Sequence, residues 1–176
     1  MITGASSGIG RGLAQELATK GAKVGLVARR GEALRQLQTE IEASGGQAFS
    51  APGDVRDSAS MREVTKSITE QLGPIDILIA NAGIGTSTDG SEVSGEEVAN
   101  VISVNVIGAA NSVAAVLPQM VERRKGHLVA ISSLAAYRGL PKSAAYCASK
   151  SALSSFFESL RLDLEPRGID VTIIHP

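Results

Sequence analysis

Thr3-Gly4-Ala5-Ser6-Ser7-Gly8-Ile9-Gly10 stands between the apolar Met1-Ile2 and a stretch carrying Leu13 and Leu17 at i, i+4. An apolar lead and helical spacing afterwards make it a strand-to-helix turn. Gly4 permits a tight turn, Gly8 lets backbone approach a pyrophosphate, and Gly10 allows a helix to pack closely on a sheet. The N–H groups of Ser6, Ser7 and Ile9 lie where free helix-start donors hold phosphate charge. The spacing is Gly-xxx-Gly-x-Gly, not the Gly-x-Gly-xx-Gly of the commonest dinucleotide fingerprint. On these residues alone the segment also reads as a plain strand-to-helix turn.

Outward from this turn, strand and helix patterns alternate. Val24 to Ala28, Gln47 to Ala51, Ile75 to Ala80, Leu128 to Ser132 and Asp170 to His175 read as strands. Leu34, Leu37 and Ile41 recur at helical spacing, as do Met61, Val64, Ile68 and Leu72. Gly73-Pro74 stops that second helix. Ser94 with Glu97 reads as a capping box for one long helix toward Arg123, and Tyr146 to Glu165 is a further helix. Such alternation predicts an α/β fold: a Rossmann-like, doubly wound parallel sheet with helices on both faces. Residues 1–176 form a single domain in this reading. Both ends look cut, because little precedes the first glycine and the chain stops at Pro176 directly after a strand.

The chain has 176 residues, 43% of them hydrophobic and 20% charged, with a formal net charge of −1. Neither a bulk basic field nor a basic stripe is present to draw in nucleic acid. Clusters such as Glu122-Arg123-Arg124-Lys125 read as solvated helix ends. The single cysteine, Cys147, cannot form an internal disulfide. His127 and His175 lack the partner spacing of a zinc site and read as structural. The apolar stretch from Val101 to Leu117 is broken by Ser103, Asn105, Asn111 and Ser112, so no membrane span is expected. With no signal peptide visible, the expected location is the cytoplasm.

The second strand ends in Ala28-Arg29-Arg30, where an NAD site normally places a carboxylate for the ribose 2′-hydroxyl. Arg29 is suited to a 2′-phosphate instead, although both arginines also read as a solvated helix start. Asp54-Val55 follows the third strand at the same edge; Asp54 is placed to accept from an adenine amino group or to cap the next turn. Asn81-Ala82-Gly83 follows the fourth strand and Ser132-Ser133 the fifth. Tyr146 and Lys150 are four residues apart and share a helix face. A nearby ammonium favours a phenolate, which suits a tyrosine to acid–base work on an alcohol or carbonyl. Taken alone, the pair equally fits a packing tyrosine and a solvated lysine.

In their order and spacing these residues resemble the short-chain dehydrogenase/reductase family, in its main single-domain branch. The marks are Thr3-Gly4-xxx-Gly8-Ile9-Gly10, Asn81-Ala82-Gly83, Asn105, Ser133 thirteen residues before Tyr146, and Tyr146-xxx-Lys150. The resemblance implies an oxidoreductase moving a hydride between NADP(H) and a carbonyl or alcohol. It assigns Tyr146 as general acid/base and Lys150 as the group that lowers the tyrosine's pKa and binds the nicotinamide ribose. Ser133 would orient the substrate oxygen and Asn105 would support a water in a proton relay. Asn81 would brace the cofactor strand and Asp54 would read adenine. Ala28-Arg29 looks like the family's NADP-type ending, so NADP(H) is preferred with NAD(H) possible. Ser7 occupies the place where some NADP-type members carry a basic residue. The resemblance also implies a small-molecule substrate, a homodimer or homotetramer, and a C-terminal substrate-covering segment that these residues lack. The competing reading is a non-catalytic nucleotide-binding or assembly module.

Overall fold

The computed structural model describes residues 1–176. Six strands form one parallel sheet: β1 (Ile2–Thr3), β2 (Lys23–Ala28), β3 (Gln47–Pro52), β4 (Ile77–Ala80), β5 (Gly126–Ile131) and β6 (Ile169–Ile174). Their order is β3-β2-β1-β4-β5-β6. Strand order therefore reverses between β1 and β4, and ligands bind outside the carboxyl ends of strands at such a switch point. β1 is short, but the pairing extends past it. The Met1 amino group donates to Ile77 O at 2.8 Å, and Ile79 N donates to Met1 O at 2.9 Å.

The helices are α1 (Gly8–Thr19), α2 (Gly31–Ala43), α3 (Ser58–Leu72), α4 (Gly95–Ile102), α5 (Gly108–Arg123) and α6 (Ala144–Leu164). Alternate strand residues face opposite layers, as the period of two requires. Val27, Leu78, Ala80, Leu128 and Ala130 pack with residues of α3, α5 and α6. Leu26, Ala28, Ile79, Val129 and Ile131 join the core under α1 and α2. The expected stripe Leu34, Leu37 and Ile41 is buried, each side chain contributing roughly 1.5–3 kcal/mol by leaving water. At the start of α3, the Asp57 carboxylate accepts from Ala59 N at 2.8 Å and Ser60 N at 3.2 Å. Gly73, at φ 92°, ends it.

Two expectations are corrected here. The helix expected to run unbroken from Ser94 to Arg123 is interrupted by a π-helical turn at Ser103–Ile107. At the end of that turn Gly108 lies hard against Val55: a Cβ there would sit 2.5 Å from Val55 Cγ2. The capping box forms only in half. Ser94 Oγ accepts from Glu97 N at 3.4 Å, but the Glu97 carboxylate accepts from Thr86 and Thr88 instead of reaching back. Those bonds hold its carboxyl below the usual range.

The 29 residues Gly95–Arg123 are long and apolar enough to cross a membrane, with mean hydropathy 1.7 over the most apolar window. In the fold, Val101, Val104, Val113, Val116 and Met120 of this stretch are buried. Nor is its basic end simply solvated. Arg123 donates to Asp76 Oδ1 at 2.9 Å and to Ile75 O at 2.8 Å.

Candidate active site

A cleft of about 550 Å³ opens at the carboxyl ends of the strands, within the range of small-molecule and cofactor pockets. Of the residues singled out from sequence, Gly4, Ser6, Ser7, Gly8, Ile9, Arg29, Asp54, Val55, Asn81, Ala82, Gly83, Ser133, Tyr146 and Lys150 all line it. Gly10 and Asn105 do not; they lie behind its wall.

The phosphate-type end is built on close backbone packing. Gly4 and Gly8 take φ of 69° and 55°, the left-handed region open to glycine. A Cβ on Gly4 would lie 2.8 Å from Ala82 Cα, and one on Gly10 would lie 2.5 Å from both Asn81 Nδ2 and Gly4 O. Gly10 thus shapes the turn from beneath. Asn81 ties the switch point together: its Nδ2 donates to Thr3 O at 3.0 Å and to Gly4 O at 3.4 Å. Thr3 Oγ1 accepts from Asn81 N and Ala82 N, each at 3.1 Å. Gly8 and Ile9 at the start of α1 line the cleft, and the first N–H groups of a helix have no intrahelical partner, which suits an anion.

At the edge over β2 and β3, Arg29 and Arg30 both line the cleft. The sequence pattern points to Arg29, but Arg30 makes the contacts with the turn. Its Nη2 donates to Ser7 Oγ at 2.8 Å and Ser6 Oγ at 3.0 Å. Two adjacent guanidinium-bearing residues at a strand end, with two serines in the facing turn, were the available signal. Asp54 is already engaged: Arg56 donates to it from Nη2 at 2.6 Å and from Nε at 3.0 and 3.1 Å. The Arg56 hydrogen bonds hold the Asp54 carboxyl below its ordinary range.

The other end gathers the polar groups of β5, α6 and the π turn. Lys150 is 5% exposed, and its Nζ donates to Ile131 O at 2.8 Å. The ammonium lies 5.6 Å from the centre of the Tyr146 ring. Burial pulls the lysine's pKa down to about 8. The two serines divide their work. Ser132 is buried, bonded to Lys150 O at 3.2 Å and Ser154 Oγ at 2.8 Å. Ser133 is half-buried, with its Oγ accepting from Ala135 N at 3.2 Å; its hydroxyl hydrogen is the one placed to meet a ligand.

Asn105 is 1% exposed, and its amide is spent inside the protein. Its Oδ1 accepts from Ile84 N at 2.8 Å, while Nδ2 donates to Ile84 O and Ser149 Oγ, each at 2.9 Å. Ser149 Oγ in turn donates to Tyr146 O at 2.7 Å. Asn105 thereby locks the π turn to the loop after β4 and, through Ser149, to the N-terminal part of α6. A Cβ on Gly83 would meet Asn105 Oδ1 at 3.3 Å and Lys150 Nζ at 3.6 Å. That glycine keeps the floor open beside the ammonium.

The donor set suits a dinucleotide: a helix N-terminus for a pyrophosphate, guanidinium groups at one end, and an ammonium with a phenol at the other. A family model described as short chain dehydrogenase matches residues 1–176. The chain belongs to the short-chain dehydrogenase/reductase family of oxidoreductases. A protein of Myxococcus xanthus (strain DK1622) named as an uncharacterized oxidoreductase is 46% identical over 176 residues, which cover 100% of this chain and 70% of that protein. Among solved structures, a metagenomic short-chain oxidoreductase in complex with NADP superposes with TM-score 0.93 at 33% identity, over 99% of this chain and 80% of that one. An NAD+-bound xylitol dehydrogenase superposes with TM-score 0.96 at 33% identity, over 99% of this chain and 68% of that one.

Proposed function

We propose that this chain carries the cofactor-binding and catalytic core of an NADP(H)-dependent oxidoreductase acting on a carbonyl or alcohol. The observation that carries the reading is one continuous cleft with Arg29 and Arg30 at one end and Ser133, Tyr146 and Lys150 at the other. Reduced nicotinamide, when bound, supplies the hydride that a carbonyl carbon accepts. Ser133 Oγ donates a hydrogen bond to the carbonyl oxygen, where negative charge develops. The Tyr146 hydroxyl gives its proton to that oxygen, completing the alcohol. The Lys150 ammonium stabilises the charge left on the tyrosine oxygen, and the low-dielectric wall around it strengthens the effect. In the reverse direction the tyrosine oxygen takes the alcohol proton. Asn105 holds the π turn and α6 in register and so fixes where Tyr146 stands.

Preference for the phosphorylated cofactor is supported by chemistry at the end of β2. No carboxylate follows Ala28, and two guanidinium groups face the cleft. Arg30 already holds hydroxyl oxygens at that edge, and a phosphate would offer it stronger, charge-assisted partners. Neighbours bound to NADP and to NAD+ both exist, so the test is a direct comparison. NADPH and NADH consumption is measured with a panel of aldehydes and ketones, in the wild-type protein and in R29A/R30A. We expect kcat/KM to favour NADPH. The double substitution should lower that preference by roughly 10- to 100-fold, the worth of one or two charged hydrogen bonds. Equal use of both cofactors by the wild type would overturn the preference, and no turnover with either would overturn the catalytic reading.

A further inference from the structure

His175 lies just past β6, and its sequence context reads as structural. The β5–β6 ladder continues beyond both strands: Ser132 N donates to Ile174 O at 2.7 Å and Leu134 N to Pro176 O at 3.4 Å. Pro176 has no N–H to return a rung to the β5 side. A side chain makes the next link across, to the carbonyl of Ser133. His175 Nδ1 stands 3.0 Å from Ser133 O. A carbonyl oxygen only accepts, so Nδ1 carries the proton and donates. The Tyr137 ring packs against the imidazole, with centroids 4.7 Å apart and planes tilted by 38°. The ring is thus held from one side by stacking and from its Nδ1 edge by the serine backbone.

We infer that His175 is a positioning residue for Ser133: its Nδ1–H, the second donor on the Ser133 carbonyl beside Ala136 N–H, ties that peptide to the end of β6 and so sets the direction of the hydroxyl that meets the substrate oxygen. Ser133 is the second residue beyond β5 and caps a single turn at Leu134–Ala136. Its backbone extends into a loop in which Leu134 and Tyr137 are two-thirds exposed. Sheet pairing holds its neighbours on either side; the carbonyl between them accepts from Ala136 N at 3.0 Å within the turn and, from the β6 side, from His175 Nδ1. A displacement of about 1 Å in such a group is enough to cost catalysis heavily.

The inference rests on the oxidoreductase reading, and the experiment separates the two. NADPH consumption with a fixed aldehyde probe, 4-nitrobenzaldehyde, and with the wider carbonyl panel is measured for wild type, H175N, H175Q, H175L, S133A and H175L/S133A. Wild-type turnover tests the underlying reading; the pattern among the variants tests the role of His175. Asparagine places an amide donor where Nδ1 stands, whereas glutamine places it where Nε2 stands. H175N is expected to stay within about threefold of wild-type kcat, and H175Q and H175L to fall about tenfold, with the KM for NADPH unchanged. In the S133A background H175L should cost less than twofold, because the group it positions is gone. A full tenfold loss in that background, a rise in the KM for NADPH, or H175Q as active as H175N would overturn the proposal. If H175L does not fold, the H175N and H175Q comparison decides alone. Should the wild type turn over no carbonyl, the catalytic reading falls first, and ¹⁵N NMR of the imidazole still reports on the bond. A ring protonated at Nε2 rather than Nδ1 would overturn it.

Discussion

Gly10 has room for a hydrogen and nothing larger. The atoms a Cβ would strike are Asn81 Nδ2 and the Gly4 carbonyl oxygen, both at 2.5 Å, and the latter is backbone that cannot swing aside. Gly12, one half-turn on in the same helix, has nothing within 4 Å of its Cβ position. The two glycines make a matched test. Gly10→Ala should cost about 1–3 kcal/mol through overpacking and weaken cofactor binding, while Gly12→Ala should gain up to about 1 kcal/mol through helix propensity. Urea unfolding of both variants measures this; equal effects would contradict the packing account. Lys150 gives a second prediction at this scale. Burial lowers its pKa from 10.5 to about 8 in the free protein. Between those values the unfolded chain binds the extra proton, so folding stability contributed by this group rises with pH across that window and is lost as pH falls through 8. The unfolding free energy of wild type relative to Lys150→Met should therefore increase from pH 8 to pH 10.5, by up to about 3 kcal/mol. A difference that stays flat would contradict it.

At the scale of elements, the informative feature is the π turn between α4 and α5. Its extra residue per turn brings Asn105 inward, where the amide meets Ile84 and Ser149 at 2.8–2.9 Å. Asn105→Ala would leave the Ile84 N–H and C=O without their partner, a loss of about 1–3 kcal/mol. Denaturant midpoints should fall with an unchanged m-value, and a stability within 0.5 kcal/mol of wild type would show that the clamp is dispensable. The π turn is also the element least legible in the sequence. The alternation of apolar runs made the sheet and its helices legible, because burial on two faces imposes period two and period 3.6 directly. A π turn changes that period for only five residues, Ser103–Ile107, and local apolarity hardly registers it. Glu97 likewise has the spacing of a capping partner, and spacing alone cannot show that Thr86 and Thr88, in the loop just before α4, fold back onto its carboxylate. Arg30 and His175 escaped for the same reason: their partners, Ser6 and Ser7, and Ser133, are brought near only by the fold. Tyr146, Lys150 and Ser133 were legible because their order and spacing matched a family pattern, not because either neighbour announced its chemistry.

Across the whole molecule, the sheet order β3-β2-β1-β4-β5-β6 makes the division of labour possible. The half from β1 to β3 carries the glycine turn and the arginines. The half from β4 to β6 carries the serine, tyrosine and lysine, and the switch between β1 and β4 joins them into one cleft. Asn81 and Thr3 brace that junction from β4 and β1. The layout predicts that binding and chemistry separate under mutation: groups at one end set which cofactor enters, and groups at the other set whether a proton moves. The most direct test is NADPH oxidation with a carbonyl panel by wild type and Tyr146→Phe, with NADPH affinity measured on the same preparations. The account predicts a loss of at least about 100-fold in kcat with affinity for NADPH nearly unchanged. Equal turnover in the two proteins would contradict it.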